Sequence, residues 1–504
     1  MPRYLLGIDN GCTLSKAAVF DLAGREIAVA SRKTELVSPH PGHFERDMLK
    51  MWTATTESIR EVLSAPSVTP GDIACVAATG HGNGLYLVDK DGQPLRNAII
   101  STDTRAKDII ARWEEQGVDA AVLPKTMQCL WPGQPNALLA WLRDHEPDVM
   151  RQARWVLMAK DYTRFRLTGQ IHAELTDMSG TSLMSIRDGD YDEEVLETFG
   201  LTDLRSLLPP IVRSEAICGT VTAEATAETG LKQDTPVAGG LFDIDACALS
   251  SGLVDERKMS LVAGTWGNNQ YVSRTPLVDR DLFMTSRYAI PDHYLMLEGS
   301  PTSASNLEWF VTHFLEAERA TAEADDRSVY DVCNDLVAQT KPAETGIVFL
   351  PFLFGSNAQP NAKACFIGLE GRHTRASVLR AIYEGVVFAH RAHLDRLLQF
   401  RPPPETIQFT GGAARSRVWV QIFADCFQIP VAIPAGTELG ALGAAICAAV
   451  ASGDHASYAD AVAAMTDTAR VQDPNPALKE TYAAKYGRYN TVVGVLAPIW
   501  ADLA

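Results

Sequence analysis

Apolar positions run from Tyr4 to Ile8, give way to the polar stretch Asp9-Asn10-Gly11-Cys12-Thr13-Leu14-Ser15, and resume from Lys16 to Phe20 before a second turn, Asp21-Leu22-Ala23-Gly24. Two apolar runs separated by a glycine-containing polar turn predict a hairpin, with a third strand after the second turn. The same arrangement recurs downstream, where Met259–Ala263 leads into Gly264-Thr265-Trp266-Gly267-Asn268-Asn269 and out through Gln270–Ser273. That recurrence predicts a duplicated architecture with one such turn in each half. Between the hairpins, Ala74–Ala78 reads as a buried strand, and Ala137–His145 carries the periodicity of an amphipathic helix. Pro236–Phe242 reads as a strand leading into a helix through Leu249. The later half adds a helix over Ser377–Phe400, a turn at Pro402-Pro403-Pro404, a strand Thr406–Phe409, and a Gly411-Gly412 turn into another helix. Strands alternating with helices predict an α/β protein of two domains, 1–254 and 255–504, with mixed sheets and a cleft between them.

The length of 504 residues fits two large domains, and 46% apolar with 21% charged residues is the composition of a folded globular chain. A formal net charge of −17 repels nucleic-acid phosphates and anionic lipid heads, which argues against polynucleotide and membrane partners. No apolar run is long enough to span a bilayer. The N-terminal residues turn polar too early for a signal peptide. The nine cysteines are scattered and include no C-x-x-C pair, a pattern expected of reduced thiols in a cytoplasmic protein rather than a disulfide framework or a zinc site.

Four segments carry candidate chemistry. In Asp9–Lys16, Gly11 lets backbone N–H groups approach phosphate oxygens, Thr13 and Ser15 add hydroxyls, Lys16 adds a cation, and Asp9 can hold a hydrated Mg²⁺. An ordinary hairpin turn with a surface lysine accounts for the same residues. Gly264-Thr265 repeats that composition in the other half, which makes a pair of phosphate turns the better reading of both. Thr410–Ser416 joins a strand to a helix, and its paired glycines permit a flat ligand to lie against the backbone, although a turn with Ser416 as helix cap explains it equally. Asp243 ends the apolar run through Phe242. A carboxylate there can orient a substrate hydroxyl and accept its proton during phosphoryl transfer. Asp245, two residues on, reads as a first-turn helix residue.

Taken in order, these segments resemble the FGGY carbohydrate kinases, which share a superfamily with hexokinase, actin and the heat-shock ATPases. The likeness extends over nearly the whole chain. It includes Asp9–Lys16, Gly239–Asp243, Gly264-Thr265, Phe366–Leu369 with Leu379–Gly385, Gly411–Ala413, and the small-residue helix Gly440–Ala445. The resemblance implies two ribonuclease-H-like domains and ATP-dependent phosphorylation of a sugar or polyol hydroxyl, with Mg²⁺ as cofactor and a sugar and MgATP as partners. It leaves a homodimer open. Carried over by position, Asp243 is the implied base and Asp9 the metal-side carboxylate. Thr13, Lys16, Gly264 and Thr265 are implied phosphate contacts, and Ala304, Glu308, Gly412 and Ser416 fall where the family holds the nucleoside.

On the sugar side the chain departs from its relatives. Gly80-His81-Gly82-Asn83-Gly84 stands where xylulokinases carry a Gln-Met-His run and glycerol kinases an Arg-Glu pair, with Asn83 at the polar position. Ile100–Arg105 resembles a Trp-x-Asp-x-Arg segment with Ser101 for the tryptophan, leaving Asp103 to bind hydroxyls. The runs Leu130–Pro135, Ser300–Ser303 and Asn306–Phe310 resemble the branch acting on L-xylulose, which implies a ketopentose substrate, with D-xylulose, ribulose, erythritol or glycerol as alternatives. An ATP-driven conformational switch is the alternative of another class, as is a sugar sensor without catalysis; neither requires a carboxylate at Asp243. His81 reads as a pocket wall rather than a metal ligand, Asp161-Tyr162 and Thr176-Asp177 as loop-fixing residues, and Trp141 and Trp309 as core.

Overall fold

Tyr4–Asn10 (β1) and Leu14–Asp21 (β2) pair antiparallel, with Asp9 opposite Lys16, in the computed structural model of the chain, which describes residues 3–356 and 361–503. Glu26–Lys33 (β3) adds the third, antiparallel strand. Helix α1, Met48–Leu63, is capped by the Asp47 carboxylate, which accepts the N–H groups of Leu49 and Lys50. Ile73–Gly80 (β4) lies parallel to β1. After helix α2, Ala159–Thr168, the chain forms Ile217–Thr220 (β5), Pro236–Ala238 (β6) and Leu241–Phe242 (β7). The sheet order is β5-β6-β4-β1-β2-β3, and β7 also pairs with β4. The run expected as one strand over Pro236–Phe242 is broken at Gly239-Gly240. Gly240 has φ 89°, and a side chain there would strike the carbonyl of Ala78 on β4. Leu241 therefore rejoins the sheet opposite Thr79, and helix α3, Asp243–Ser250, starts at its end.

The second hairpin is Lys258–Ala263 (β8) with Gly267–Ser273 (β9), followed by Tyr294–Ser300 (β10) and helix α4, Ser305–Phe314. Helix α5, Arg375–Leu397, starts and ends within three residues of the predicted span. Thr406–Thr410 (β11) then lies parallel to β8, and helix α6, Arg417–Phe427, leads to Val431–Pro434 (β12), parallel to β11. Helix α7, Leu439–Ala451, precedes the closing strand Thr468–Gln472 (β13). The second sheet runs from an edge strand, Met284–Arg287, through β10-β9-β8-β11-β12-β13. Each sheet thus has an antiparallel hairpin whose first strand continues into parallel neighbours, the duplication anticipated from the two turns.

Two compact units result: Met1–Val254 with Val272–Met296 and Gly436–Asp467, and Asp255–Tyr271 with Leu297–Ala435 and Thr468–Ala504. In the first unit the two faces of β1 are buried against different layers, as period-2 alternation requires. Leu6 and Ile8 pack with Met48, Met51, Trp52 and Ile59 of α1. Leu5 packs with Ala441, Ala444, Ala445 and Ala448 of α7 and with Ala246 and Leu249 of α3. The small residues of α7 are what let it lie this close to the sheet. None of the nine cysteines, all among the described residues, is in a disulfide. Among the described residues no helix is long and apolar enough to cross a membrane.

Candidate active site

In the first unit, Asp9 is the next-to-last residue of β1 and Asp243 begins α3, so both acidic residues stand at or next to strand ends. Burial raises the pKa of Asp9; Lys16 opposes the shift and Glu438 adds to it. Asp243 is held well above the ordinary carboxylate range by burial, then by the negative charges of Asp9 and Asp177. Burial alone would lower Lys16, but its 2.7 Å ion pair with Glu438 holds the ammonium above its usual value. The Cys247 thiol is pushed up by burial and next by Asp243 and Asp9, which places all three groups in one electrostatic cluster. A side chain at Gly440, in the first turn of α7, would collide with the Asp9 carboxylate. Thr13 is exposed in the hairpin turn.

Arg46, which no sequence signal singled out, holds that turn from behind. It is fully buried and donates to the Gly11 carbonyl at 2.9 Å, to Thr34 Oγ1 at 2.8 Å and to Ser15 Oγ at 3.3 Å.

The residues predicted to face the sugar divide. Asn83 is buried with φ 58°, and its Oδ1 has no hydrogen-bond partner among the described residues. Asp103 behaves otherwise. Its Oδ1 accepts from the Arg105 backbone N–H at 2.8 Å and Nε at 2.9 Å, and its Oδ2 accepts from Arg105 Nη2 at 2.8 Å and the Phe44 N–H at 2.7 Å. A carboxylate offers about four lone-pair sites. Asp103 therefore has none left for a sugar hydroxyl in this arrangement and acts as a clamp on Arg105. His81 is buried, bonds Tyr86 Oη through Nε2 at 2.8 Å, and is pulled down to about 3 by burial and Arg46, so its ring is neutral. Trp141 is only half-buried and lies beneath the Arg105 guanidinium, whose Cζ is 5.1 Å from the ring centroid.

A buried ionic network supports the loop that carries Asp243. Lys160 pairs with Asp177 at 3.0 Å, Asp161 at 3.2 Å and Glu174 at 3.4 Å. Arg164 bonds Asp161 at 3.0 Å and the Gly239 carbonyl at 2.6 Å. Thr176 Oγ1 accepts the Phe242 N–H at 2.9 Å, and Asp245 accepts the Ala289 N–H at 3.2 Å. Burial drives Asp177 up to about 7, with Lys160 opposing. Between about pH 4 and pH 7 the folded protein therefore binds a proton that the unfolded chain releases, and this site lowers stability as pH rises through that window. Asp177→Asn removes that loss. Melting temperatures from pH 4.5 to 7.5 are expected to fall less steeply for the variant than for the parent, and parallel profiles would contradict the shift.

In the second unit, Gly264, Thr265, Ala304, Glu308, Gly412 and Ser416 line a single cavity of about 520 Å³, a size suited to a small-molecule ligand. Ser416 does cap α6, accepting the Trp419 N–H at 3.0 Å, while its hydroxyl also meets Asn334 Oδ1 at 2.5 Å on the cavity wall. Tyr383 stacks on Trp419 at 4.3 Å between centroids, and both rings line the cavity. The Gly264 carbonyl accepts the Ala304 N–H at 2.9 Å, and Gly411, at φ 90°, abuts Ala263 and Gly264 so closely that no side chain fits. Behind the turn, buried His390 bonds Ser303 Oγ at 2.8 Å and Asn269 Oδ1 at 3.2 Å. Asn334, Tyr383 and His390 were not readable from sequence, because their roles come from packing across elements distant in the chain. A slightly larger groove of about 570 Å³ lies along β5 in the first unit and contains none of the predicted residues.

A nucleotide-sized pocket at a glycine turn in one unit, and a pair of strand-end carboxylates beside a lysine-bearing turn in the other, define a two-domain α/β phosphotransferase of the sugar-kinase class. The signature of the FGGY family of carbohydrate kinases, N-terminal domain, matches residues 4–250, and that of the C-terminal domain matches residues 259–452. The chain belongs to the FGGY family, and it is a carbohydrate kinase. It is 38% identical to the L-xylulose/3-keto-L-gulonate kinase of Escherichia coli (strain K12) over 98% of each chain. It is 37% identical to a probable L-xylulose kinase of Pasteurella multocida over 98% of this chain and 99% of that one. The crystal structure of xylulose kinase from Rhodospirillum rubrum superposes with a TM-score of 0.89 at 29% identity, covering 99% of this chain and all of the other.

Proposed function

We propose that this kinase transfers the γ-phosphoryl group of ATP to a hydroxyl of a ketopentose, L-xylulose foremost, with Asp243 as general base. The observation that carries the reading is the placement of Asp243 at the first position of α3, in one charge cluster with Asp9. The acceptor hydroxyl hydrogen-bonds the Asp243 carboxylate. Its oxygen attacks the γ-phosphorus, the bond to the β–γ bridging oxygen breaks with its electron pair leaving on ADP, and the hydroxyl proton passes to Asp243. Thr13 and Lys16 in the first turn, and Gly264 and Thr265 in the second, serve as phosphate contacts. Ala304, Glu308, Gly412 and Ser416 hold the nucleoside. Asn83 contacts the sugar, and Asp103 acts through Arg105 as a positioning residue.

The donor set suits Mg²⁺. Asp9 raises the proton affinity of Asp243, so a cation beside Asp9 would relieve that repulsion. Mg²⁺ bound through one or two carboxylates keeps waters and substrate phosphates as its remaining ligands, and among the described residues there is no closed cluster of three or more protein ligands. Asp9 would hold the ion, which when bound neutralises phosphate charge.

The names of the L-xylulose kinase relatives support the choice of sugar. ADP release with MgATP tests it against L-xylulose, D-xylulose, L-ribulose, D-ribulose, glycerol, erythritol and 3-keto-L-gulonate, with a sugar-free blank. The expected outcome is a preference for L-xylulose. ADP release at the blank rate with every acceptor would defeat the ketopentose reading and point to an acceptor outside the panel or to an ATP-driven switch.

A further inference from the structure

A buried side-chain amide without partners loses its hydration for no return, so such groups are rare and call for an explanation. Asn136, in the first turn of the helix Pro135–His145, is 0% exposed, and neither its Oδ1 nor its Nδ2 meets a hydrogen-bonding group among the described residues. Asn83 is 4% exposed, and its Oδ1 is likewise unmatched. The amides around them are satisfied. Gln134 Nε2 donates to Gln128 Oε1 at 3.1 Å and Ser182 Oγ at 3.2 Å, and its Oε1 accepts the Trp131 N–H at 3.1 Å. Gln128 Nε2 in turn donates to the Thr126 and Ser179 carbonyls at 3.0 and 2.9 Å. Local packing thus provides partners for every glutamine on these loops and withholds them from the two asparagines.

The segments bearing the asparagines are fastened together, and that of Asn83 lies against Phe242. The Gly84 N–H, next to Asn83, donates to the Gly133 carbonyl at 3.0 Å, three residues before Asn136. Gly180 faces Asn83 Nδ2 and the Phe242 ring, with distances of 3.6 and 3.2 Å from the position a Cβ would take. Phe242 immediately precedes Asp243. An amide presents one donor group and one acceptor oxygen, the complement of a sugar hydroxyl that both accepts and donates.

We propose that Asn136 is a sugar-contacting, specificity-determining residue, its amide reading a hydroxyl or carbonyl oxygen of the neutral polyhydroxy acceptor together with Asn83; this rests on the acceptor role proposed above for the first unit. A site built to hydrogen-bond a substrate oxygen discriminates strongly against its loss, because its own polar groups are then left bare. Removing the amide should therefore weaken sugar binding while relieving the sugar-free protein of an unmatched polar group.

The test is kinetics and melting of Asn136→Ala and Asn136→Ser with MgATP and L-xylulose, or whichever neutral acceptor the parent prefers. For the Ala variant, KM for the sugar should rise by about 10- to 100-fold. KM for ATP should stay within about twofold, and the melting temperature without sugar should be unchanged or higher; Ser should fall between. An unchanged sugar KM with a lowered melting temperature overturns the proposal, since the amide then serves the fold, through a bound water or otherwise. Equal rises in both KM values overturn it too, as does failure of both variants to fold. A parent that phosphorylates no acceptor in the panel defeats the ketopentose kinase reading itself, before any variant is compared.

Discussion

Asp243→Asn is expected to lower kcat for sugar phosphorylation by about two to four orders of magnitude, the usual range for loss of a positioned general base. Asparagine keeps the shape of the side chain and can still hydrogen-bond a hydroxyl, but it cannot accept the proton that the attacking oxygen must release. The fold should tolerate the change. Burial, Asp9 and Asp177 all oppose ionisation at this position, so a neutral side chain removes a repulsion, and the asparagine Oδ1 can still accept the Ile244 N–H. The variant's melting temperature is therefore expected to equal or exceed that of the parent. The cavity lined by Gly264, Glu308 and Ser416 belongs to the other unit, so ADP binding measured by calorimetry should be retained. Near-normal turnover by the folded variant would show that another group takes the proton.

Gly443→Ala is expected to destabilise the protein and reduce activity together. Gly443 lies in α7 with its Cα against the carbonyl of Ala246 in α3, and a methyl group there would sit well inside van der Waals contact with that oxygen. Backbone cannot rotate out of the way as a side chain can. The two helices must separate, loosening the core around Leu249, Leu442 and Ile446. Overpacking of this kind costs about 1–3 kcal/mol, and more where backbone meets backbone. Because Asp243 is the first residue of α3, the displacement also moves the proposed base, and a small shift of a catalytic group is costly in rate. Gly487→Ala is the control. Gly487 is exposed in the helix Lys479–Leu496 with open space around it, and there alanine should stabilise by about 0.5–1 kcal/mol through helix propensity. Urea or thermal unfolding should place the two variants on opposite sides of the parent. Coincident transitions for Gly443→Ala and the parent would show that the helices are less tightly seated.

Much of the architecture is local and was therefore readable. Each hairpin announces itself by two apolar runs around a glycine turn, because a strand's burial is written in neighbouring residues. Asp243 stood out for the same reason: an acidic residue closing an apolar run must emerge where the strand ends. The nucleoside residues were found by resemblance, and the structure gathers them into one cavity although they come from two segments far apart in the chain.

Tertiary structure decided whatever depended on a partner far along the chain. Only packing places α7, nearly 190 residues after α3, against β1 and α3, since its alanines and glycines carry no periodic signal of their own. Only hydrogen-bond saturation distinguishes Asp103, filled by Arg105 and Phe44, from Asn83 and Asn136, which remain unmatched. Nor does any neighbouring residue signal that Arg46 holds the first turn or that His390 backs the second. The sequence by itself determined the two turns, the acidic strand ends and the family. Which polar groups are already satisfied, and which are left to meet a ligand, is a property of the folded neighbourhood, because a hydrogen bond is made in space between residues whose order along the chain does not record their distance.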